Sequence, residues 1–344
     1  MNMDALISVI IPNRNNSATI GRCLKALFAS HHDRFEVIVV DDCSDDDSTG
    51  IIRAFPCNLV RLRTHQGAAH ARNMGALHSR GRILFFIDAD CLVQKGTLAR
   101  VEQAALLAGP HAVLGGTYTA LPADQDFFSA FQSAFIRYFE TKRPADPDYI
   151  ASHAMAVHAE TFRKSGGFPR QLLPMIEDVH FSHTLRKAGY RLLMDPAIEV
   201  THIFNFSLQR SLRNALRKSF YWTIYSLGNQ DLFADSGTAS RELKVNVASW
   251  FIAAGALAAG ILLSVPVLPA FASAMVLENV LVNRKLLQAY WRAGGSRFAL
   301  KAAAYYLLVY PMAVGAGAAG GMLSYALERV RSANRPTPSH PREA

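Results

Sequence analysis

Ile83-Leu84-Phe85-Phe86-Ile87-Asp88-Ala89-Asp90 is an apolar run that stops abruptly on two acids. Five consecutive apolar residues are too few for a helix, and their β-branched and aromatic character suits a strand buried on both faces. Alternate residues of an extended segment point the same way, so Asp88 and Asp90 can present two carboxylates to one ligand. At the end of a buried strand such a pair is costly without a cation. Mg²⁺ or Mn²⁺ bridging a substrate diphosphate would satisfy it. The alternative is plainer: Asp90 caps a helix and Asp88 is solvated.

The same design repeats on the N-terminal side. Leu6–Ile11 is a buried strand ended by Pro12 and followed by Asn13 and Arg14, and Phe35–Val40 is a second that stops at Asp41 and Asp42. Helical spacing marks Ile20–Ser30, Ser48–Phe55 and Ala68–Ser79, with a short strand at Leu59–Arg63. On the C-terminal side come a helix at Thr97–Ala108, a strand at Ala112–Tyr118, and a helix at Phe127–Phe139 with Phe128, Phe131, Phe135 and Tyr138 along one side. A strand at Ser152–His158, a helix at Asp178–Ala188 and strands at Arg191–Met194 and Ile198–Thr201 finish the domain. This alternation predicts an α/β fold with a mostly parallel, doubly wound sheet. Its ligand crevice then lies beyond the carboxyl ends of the strands, where the acids gather.

Of 344 residues half are hydrophobic and only 18% are charged, yet the formal net charge is +9. The apolar residues concentrate in the last hundred positions. From Val245 to Val282 the one charge is Glu278, and Pro266 and Pro269 interrupt the stretch near its middle. A span needs about 20 apolar residues, so this segment reads as a tight helical hairpin with a short second arm. Phe298–Leu327 is a further apolar run, in which Gly315, Gly317, Gly320 and Gly321 permit close helix approach. Asn283–Lys301 carries five basic residues and no acid. The positive-inside rule places it, and with it the N-terminal domain, in the cytoplasm. Ser207–Tyr225 reads as an amphipathic helix, either lying in the membrane interface or packed on the domain surface. No nucleic-acid motif accompanies its basic residues. The expected organisation is thus a catalytic domain over 1–205, an interfacial linker over 206–244, two or three membrane helices over 245–327 and a flexible basic tail over 328–344. Met1–Leu6 is too short and acidic to be read as a leader. Cys23, Cys43, Cys57 and Cys91 lack paired spacing, which suits a reducing compartment.

Several polar residues bear on chemistry. Glu177-Asp178 begins a helix, where the carboxylates either cap it or project a general base into the cleft. Arg72 could meet a phosphate, and Asn73 could fix the backbone of a nucleotide pocket. His202 stands just past the last strand of the domain. Neither HExxH, GxGxxG nor a P-loop pattern is present.

Taken together, Val9-Ile-Ile-Pro-Asn-Arg-Asn15, Val39-Val-Asp-Asp-Cys-Ser-Asp-Asp-Asp-Ser-Thr49, Ala71-Arg-Asn-Met-Gly75, Phe86-Ile-Asp-Ala-Asp90, Gly166-Gly-Phe168 and Glu177-Asp178 resemble the ordered signatures of family-2 glycosyltransferases. The resemblance runs from roughly Leu6 to Phe204. It implies a GT-A fold, a nucleotide-diphosphate-sugar donor, a divalent metal, Mg²⁺ or Mn²⁺, and inversion at the anomeric carbon. It further implies that Asp41 contacts the base, with Pro12 and Arg14 shaping that pocket. Asp88 becomes the nucleotide-side carboxylate, Asp90 the metal ligand, Asp178 the catalytic base with Glu177 in reserve, and His202 a metal or phosphate contact. Cys43 stands where the family often has glycine. A QxxRW processivity motif is absent, so a single addition is expected rather than polymerisation. The acceptor implied by the anchor is a membrane lipid or a lipid-linked sugar, with polyprenyl phosphate as the alternative, at a bacterial-type inner membrane crossed more than once. A non-catalytic, membrane-anchored nucleotide-sugar sensor is the competing reading.

Overall fold

The computed structural model describes residues 6–169 and 173–333. The strands are β1 (Ile7–Asn13), β2 (Phe35–Asp41), β3 (Asn58–Arg61), β4 (Ile83–Ile87), β5 (Cys91–Val93), β6 (Ala112–Tyr118), β7 (Ala154–His158) and β8 (Arg191–His202). The helices of the same domain are α1 (Ile20–Phe28), α2 (Ser48–Arg53), α3 (Ala68–Leu77), α4 (Thr97–Ala108), α5 (Phe127–Thr141), α6 (Ala159–Lys164) and α7 (Glu177–Lys187). Among the described residues the strands form one sheet in the order β3-β2-β1-β4-β7-β6-β8-β5.

Strand β1 shows why the sheet is buried on both sides. Ile7, Val9 and Ile11 face one core with Ile20, Leu24 and Leu27 of α1, while Ile10 faces the other with Ile38, Val40, Leu84 and Phe86. That period-2 division is the pleat read directly from the packing. Helix α3 lies so close to the second face that a Cβ on Gly75 would meet Ile10 Cγ2 at 2.4 Å, so glycine is needed there.

The β1, β2, β3 and β4 pairings are parallel, as is β6 with β8. The expected parallel sheet is nevertheless mixed, because β7 inserts antiparallel between β4 and β6, and β5 pairs antiparallel with β8. The two short strands expected at 191–194 and 198–201 are one continuous strand, β8, with its register shifted opposite Gly115–Thr117. This mixed half puts His202 beside the acidic end of β4.

Beyond the sheet lie α8 (Leu208–Asn229), α9 (Arg241–Leu262), α10 (Val267–Val282), α11 (Arg284–Ala304) and α12 (Tyr310–Ala333), with a π-helical turn at Tyr305–Val309. Helices α9 and α10 pack together as a hairpin, closed by the turn before Pro266. Helix α11 bends at Gly294 and Gly295, the latter at φ +74°. Two helical runs among the described residues, Arg241–Leu262 and Arg284–Arg331, are long and apolar enough to cross a membrane. Helix α10 has 16 residues, about 24 Å of helix against a hydrocarbon core of about 30 Å. Ile261, Leu262, Leu263 and Val267 leave the hairpin tip apolar and exposed, as expected of surface that meets lipid or another protein.

Two expectations change here. The amphipathic helix, now α8, packs on α12 through its small-residue stripe of Ser211, Ala215 and Thr223, with Gly317 and Gly321 against the carbonyls of Leu216 and Phe220, while Leu208 and Leu216 of its apolar side stay exposed. Residues 328–333, expected in the tail, continue α12, and 334–344 lie outside the described residues. The aromatic side of α5 is largely packing: Phe131 meets Tyr290 at a tilt and Tyr305 edge-to-face, and Phe135 meets Tyr306 and Tyr310 at a tilt. These rings seat the C-terminal helices on the α/β domain.

Candidate active site

The acids at the strand ends are held by the backbone they terminate. Asp41 is fully buried and accepts hydrogen bonds from Asn13 Nδ2 (3.0 Å) and the Ser44 N–H (3.3 Å). Asp42 accepts from the N–H groups of Gln66 (2.7 Å) and Gly67 (2.8 Å), which fixes the entry to α3. Pro12 is paired in register with Val40, and Arg14 is exposed just past the strand end. Cys43 has φ +62°, so this turn is made in the left-handed region without glycine.

Arg72 organises the centre. Its Nη2 donates to Asp88 Oδ1 (2.7 Å) and its Nη1 to Glu177 Oε1 (3.0 Å), joining α3, the end of β4 and the start of α7. Burial disfavours the Asp88 carboxylate, but Arg72, helped by His153 and His202, outweighs that and holds it below the usual range. Asn73, expected to fix backbone at the nucleotide pocket, holds the backbone of Phe168. Its amide exchanges two bonds with the Phe168 backbone, accepting at 2.9 Å and donating at 2.8 Å, so it anchors the Gly166-Gly167-Phe168 turn.

Glu177 and Asp178 occupy the first turn of α7, whose N-cap residue is Ile176, and Asp178 itself satisfies one of the free first-turn N–H groups. Asp178 accepts from the Ser152 N–H (3.1 Å) and from the Val179 N–H (2.8 Å). Burial, then the adjacent charge of Glu177, push its carboxyl up to about 6. Glu177 is engaged by Arg72, and Asp178 is not.

On the other side of Asp88, Asp90 Oδ1 lies 3.3 Å from His202 Nε2. Burial, then the charge of Asp88, push the Asp90 carboxyl up to about 7, and burial pushes His202 down to about 3. The His202 ring stacks on Phe204 with centroids 3.8 Å apart, and its buried Nδ1 has no partner. A carboxylate oxygen beside a neutral imidazole suits a divalent cation of the Mn²⁺ kind. Cys91 Sγ lies within 4.8 Å of both, and burial pushes its thiol up.

Asp88, Arg72, Glu177 and Asp178 line a cavity of about 510 Å³. Its far walls are Ala215 of α8, Val247 and Ala248 of α9, and Val314, Ala318 and Met322 of α12. The polar residues that sequence reasoning missed in it include Gln132, Glu140, His153, Lys218 and Lys244. Glu140 is bonded to Thr117 (2.8 Å), and His153 stacks on Tyr118 with centroids 4.0 Å apart. In the structure Lys218 follows the buried Ser211 and Ala215 by seven and three positions, which places it on the inner stripe of α8, a face that the apolar spacing of the sequence did not mark.

Residues 8–165 match the family described as Glycosyl transferase family 2. Among curated relatives, the chain is 29% identical over 196 residues to glycosyltransferase AglE of Haloferax volcanii, covering 54% of this chain and 63% of that protein. It is 31% identical over 90 residues to the UDP-Glc:alpha-D-GlcNAc-diphosphoundecaprenol beta-1,3-glucosyltransferase WfgD of Escherichia coli, covering 25% of this chain and 36% of that one. The chain spans less than two thirds of the length of the curated relatives it matches. Among solved structures, the mannosyltransferase PcManGT from Pyrobaculum calidifontis, in complex with GDP-Man and Mn²⁺, superposes with a TM-score of 0.56 over 95% of this chain and 88% of that one, at 19% identity. With its strand-end acids, its mixed sheet and this match, the domain that contains residues 8–165 belongs to glycosyl transferase family 2 and has the GT-A fold.

Proposed function

We propose that this protein transfers one sugar, with inversion, from a nucleotide-diphosphate sugar to a lipid-linked acceptor at a bacterial inner membrane. The observation that carries the reading is the cavity itself. One end holds Asp178, Asp88 and Arg72, and the other is walled by apolar residues of α9 and α12, the helices long enough to meet a bilayer. An acceptor with a polar head and an apolar chain fits that division. The diphosphoundecaprenol acceptor in the printed name of WfgD belongs to the same chemical class.

Each residue then has a task. Asp41 and Asn13, with Pro12 and Arg14, form the nucleoside end of the donor pocket. Asp90 and His202 would hold Mg²⁺ or Mn²⁺, which supplies neutralisation of diphosphate charge when bound. Arg72 steadies Asp88 toward the same diphosphate. Asp178, its two backbone bonds fixing its direction, removes the proton from the acceptor hydroxyl as that oxygen forms its bond to the anomeric carbon. The bond to the donor diphosphate breaks on the opposite face, so the centre inverts, and the proton resides on Asp178. A carboxyl near 6 suits a base working close to neutrality. Glu177 is the weaker candidate because Arg72 already binds it. We read α8 and α12 as lying at the cytoplasmic surface of the membrane and the α9–α10 hairpin as inserted in it, with the α/β domain in the cytoplasm.

The test is incubation of detergent-purified protein with a panel of nucleotide sugars and total membrane lipid extract, with product identification by mass spectrometry. A lipid product that requires Mg²⁺ or Mn²⁺ and is lost in Asp178→Asn is the expected result. Turnover only onto water-soluble acceptors would overturn the acceptor class, and donor binding without turnover would favour a sensor.

A further inference from the structure

The proposed reaction uses the carboxylates and Arg72, but leaves a cluster of polar groups in the same cavity without employment. Lys218 projects from α8 among Ala215, Ser219 and Trp222 on the cavity wall. No hydrogen bond or ion pair within 4.0 Å joins it to any described residue. Gln132 and His153 are almost wholly buried in the same wall, and Gln132 Oε1 and His153 Nε2 lack hydrogen-bond partners. His153 Nε2 has a carboxylate oxygen of Glu140 3.5 Å away, too long for a hydrogen bond. Buried polar atoms are almost always paired, so two buried side chains with partnerless atoms beside a half-buried, unpaired lysine in one cavity point to a ligand that pairs them.

The ligand's charge follows from the donors. A lysine ammonium offers three N–H groups, an imidazole one or two, and a glutamine amide two, since its O and N are exchangeable by a flip. Oxygen acceptors on a compact anion match that set, and phosphate is the common anion carried by membrane lipids. Two facts place the anion on the acceptor side. Asp90 and His202, where the donor's metal would sit, do not line this cavity. The walls next to Lys218 instead lead to Val247, Val314, Ala318 and Met322, which suit an apolar chain. Burial lowers the affinity of Lys218 for the proton, and the nearby charges of Asp178, Glu140 and Asp88 oppose that.

We infer that Lys218, with Gln132 and His153, forms a phosphate subsite that recognises the (di)phosphate of an isoprenoid-type lipid acceptor. This rests on the lipid-acceptor reading above and gives that acceptor its charge. The phosphate is either itself the nucleophile or the link between the lipid and an acceptor sugar.

The test uses the full-length protein in detergent with farnesyl phosphate, farnesyl diphosphate and farnesol as probes, and UDP and GDP with Mn²⁺ as a separate measure of the donor site. Wild type should bind at least one of the phosphorylated probes about 10-fold or more tightly than farnesol. Lys218→Met should bring that preference below about 3-fold while nucleotide binding is unchanged, and Lys218→Arg should keep most of it. Gln132→Leu, which removes no charge, should lower the preference by a smaller factor and serves if Lys218→Met does not fold. Tighter binding of the monophosphate would identify the phosphate as nucleophile, and of the diphosphate as a link. The inference is overturned if Lys218→Met and Gln132→Leu both retain the wild-type preference. It is also overturned if Lys218→Met weakens nucleotide binding and leaves the lipid preference intact. Nucleotide binding by wild type without any lipid preference would sink the subsite but not the family-2 donor site. Absence of nucleotide binding would instead count against the proposed reaction.

Discussion

His202 Nε2 lies 3.3 Å from Asp90 Oδ1, brought there because Cys91, the residue after Asp90, is the register partner of His202 in the β5–β8 pair. The Ile203 N–H also donates to the Asp90 carbonyl at 2.9 Å, so backbone pairing holds both side chains at one edge. A pair set by strand register tolerates no slip, since a one-residue shift would turn one of the two to the opposite face.

Asp90→Asn and His202→Ala should each lower sugar transfer about 100-fold or more, because each removes a candidate ligand for the cation that neutralises the diphosphate. Mn²⁺ titration followed by electron paramagnetic resonance should show weakened binding in both variants. Transfer by Asp90→Asn at wild-type rates with limiting Mn²⁺ would remove the pair from the mechanism.

Asp178 gives a pH dependence whose sign is determined. Only its deprotonated form accepts a proton, so kcat should rise with pH through about 6 and level off above it. The groups facing it are Glu177, Arg72, His153 and Lys218, and each moves the midpoint without reversing the direction. The stability effect runs the other way. A carboxyl raised in the folded state holds its proton more tightly than the unfolded chain does, so its contribution to stability is present at acid pH. That contribution is lost as pH rises from the ordinary carboxylate range through about 6. Asp178→Asn should flatten both the acid limb of the rate profile and this part of the melting profile. An unchanged acid limb in that variant would assign the titration elsewhere.

Gly317 marks the closest approach of α12 to α8: a Cβ there would lie 2.3 Å from the Leu216 carbonyl oxygen. Gly317→Val should therefore cost about 1–3 kcal/mol through backbone displacement. At Gly320 the nearest atom to an added Cβ is the Phe220 ring at 3.3 Å, a side chain that can move. Gly320→Ala should be the milder change in a thermal-melting comparison in detergent, and equal effects would argue against a close helix pair.

Cys43→Gly relieves a left-handed backbone, at φ +62° in the present turn, on an exposed side chain. Release of that strain, less the extra chain entropy of glycine, predicts a gain of about 0.5–1 kcal/mol. A lower melting temperature in Cys43→Gly would show that the thiol itself supports the turn.

What was legible in the sequence is the part governed by local patterns. Ile83–Ile87, Phe35–Val40 and Leu6–Ile11 each announced a strand by an apolar run and a functional edge by the acid or polar residue that ended it. The hairpin of α9 and α10 was legible for a similar reason, a long uncharged stretch broken by prolines. Pairing across long sequence distances was not. Nothing in Ala154–His158 says that it inserts antiparallel between β4 and β6, because its buried pattern would serve either direction. Asn73 was read as fixing backbone, yet which backbone was not legible, because its partner, Phe168, is 95 positions away. Gln132, His153 and Lys218 escaped notice because each is an ordinary polar residue until α5, β7 and α8 bring them to one cavity.

The pairing of α8 with α12 also bears on how the protein is made. Cavity residues come from as early as Arg72 and as late as Met322. A ribosome-bound chain can fold its sheet and place its strand-end acids long before the last helix emerges. It cannot close the wall against which α8 rests until α12 has been synthesised and has found its groove. For the reaction proposed above, acceptor binding in this cavity would therefore be postponed to the final stage of biogenesis, and an unfinished chain would hold its strand-end acids with no closed cavity beside them.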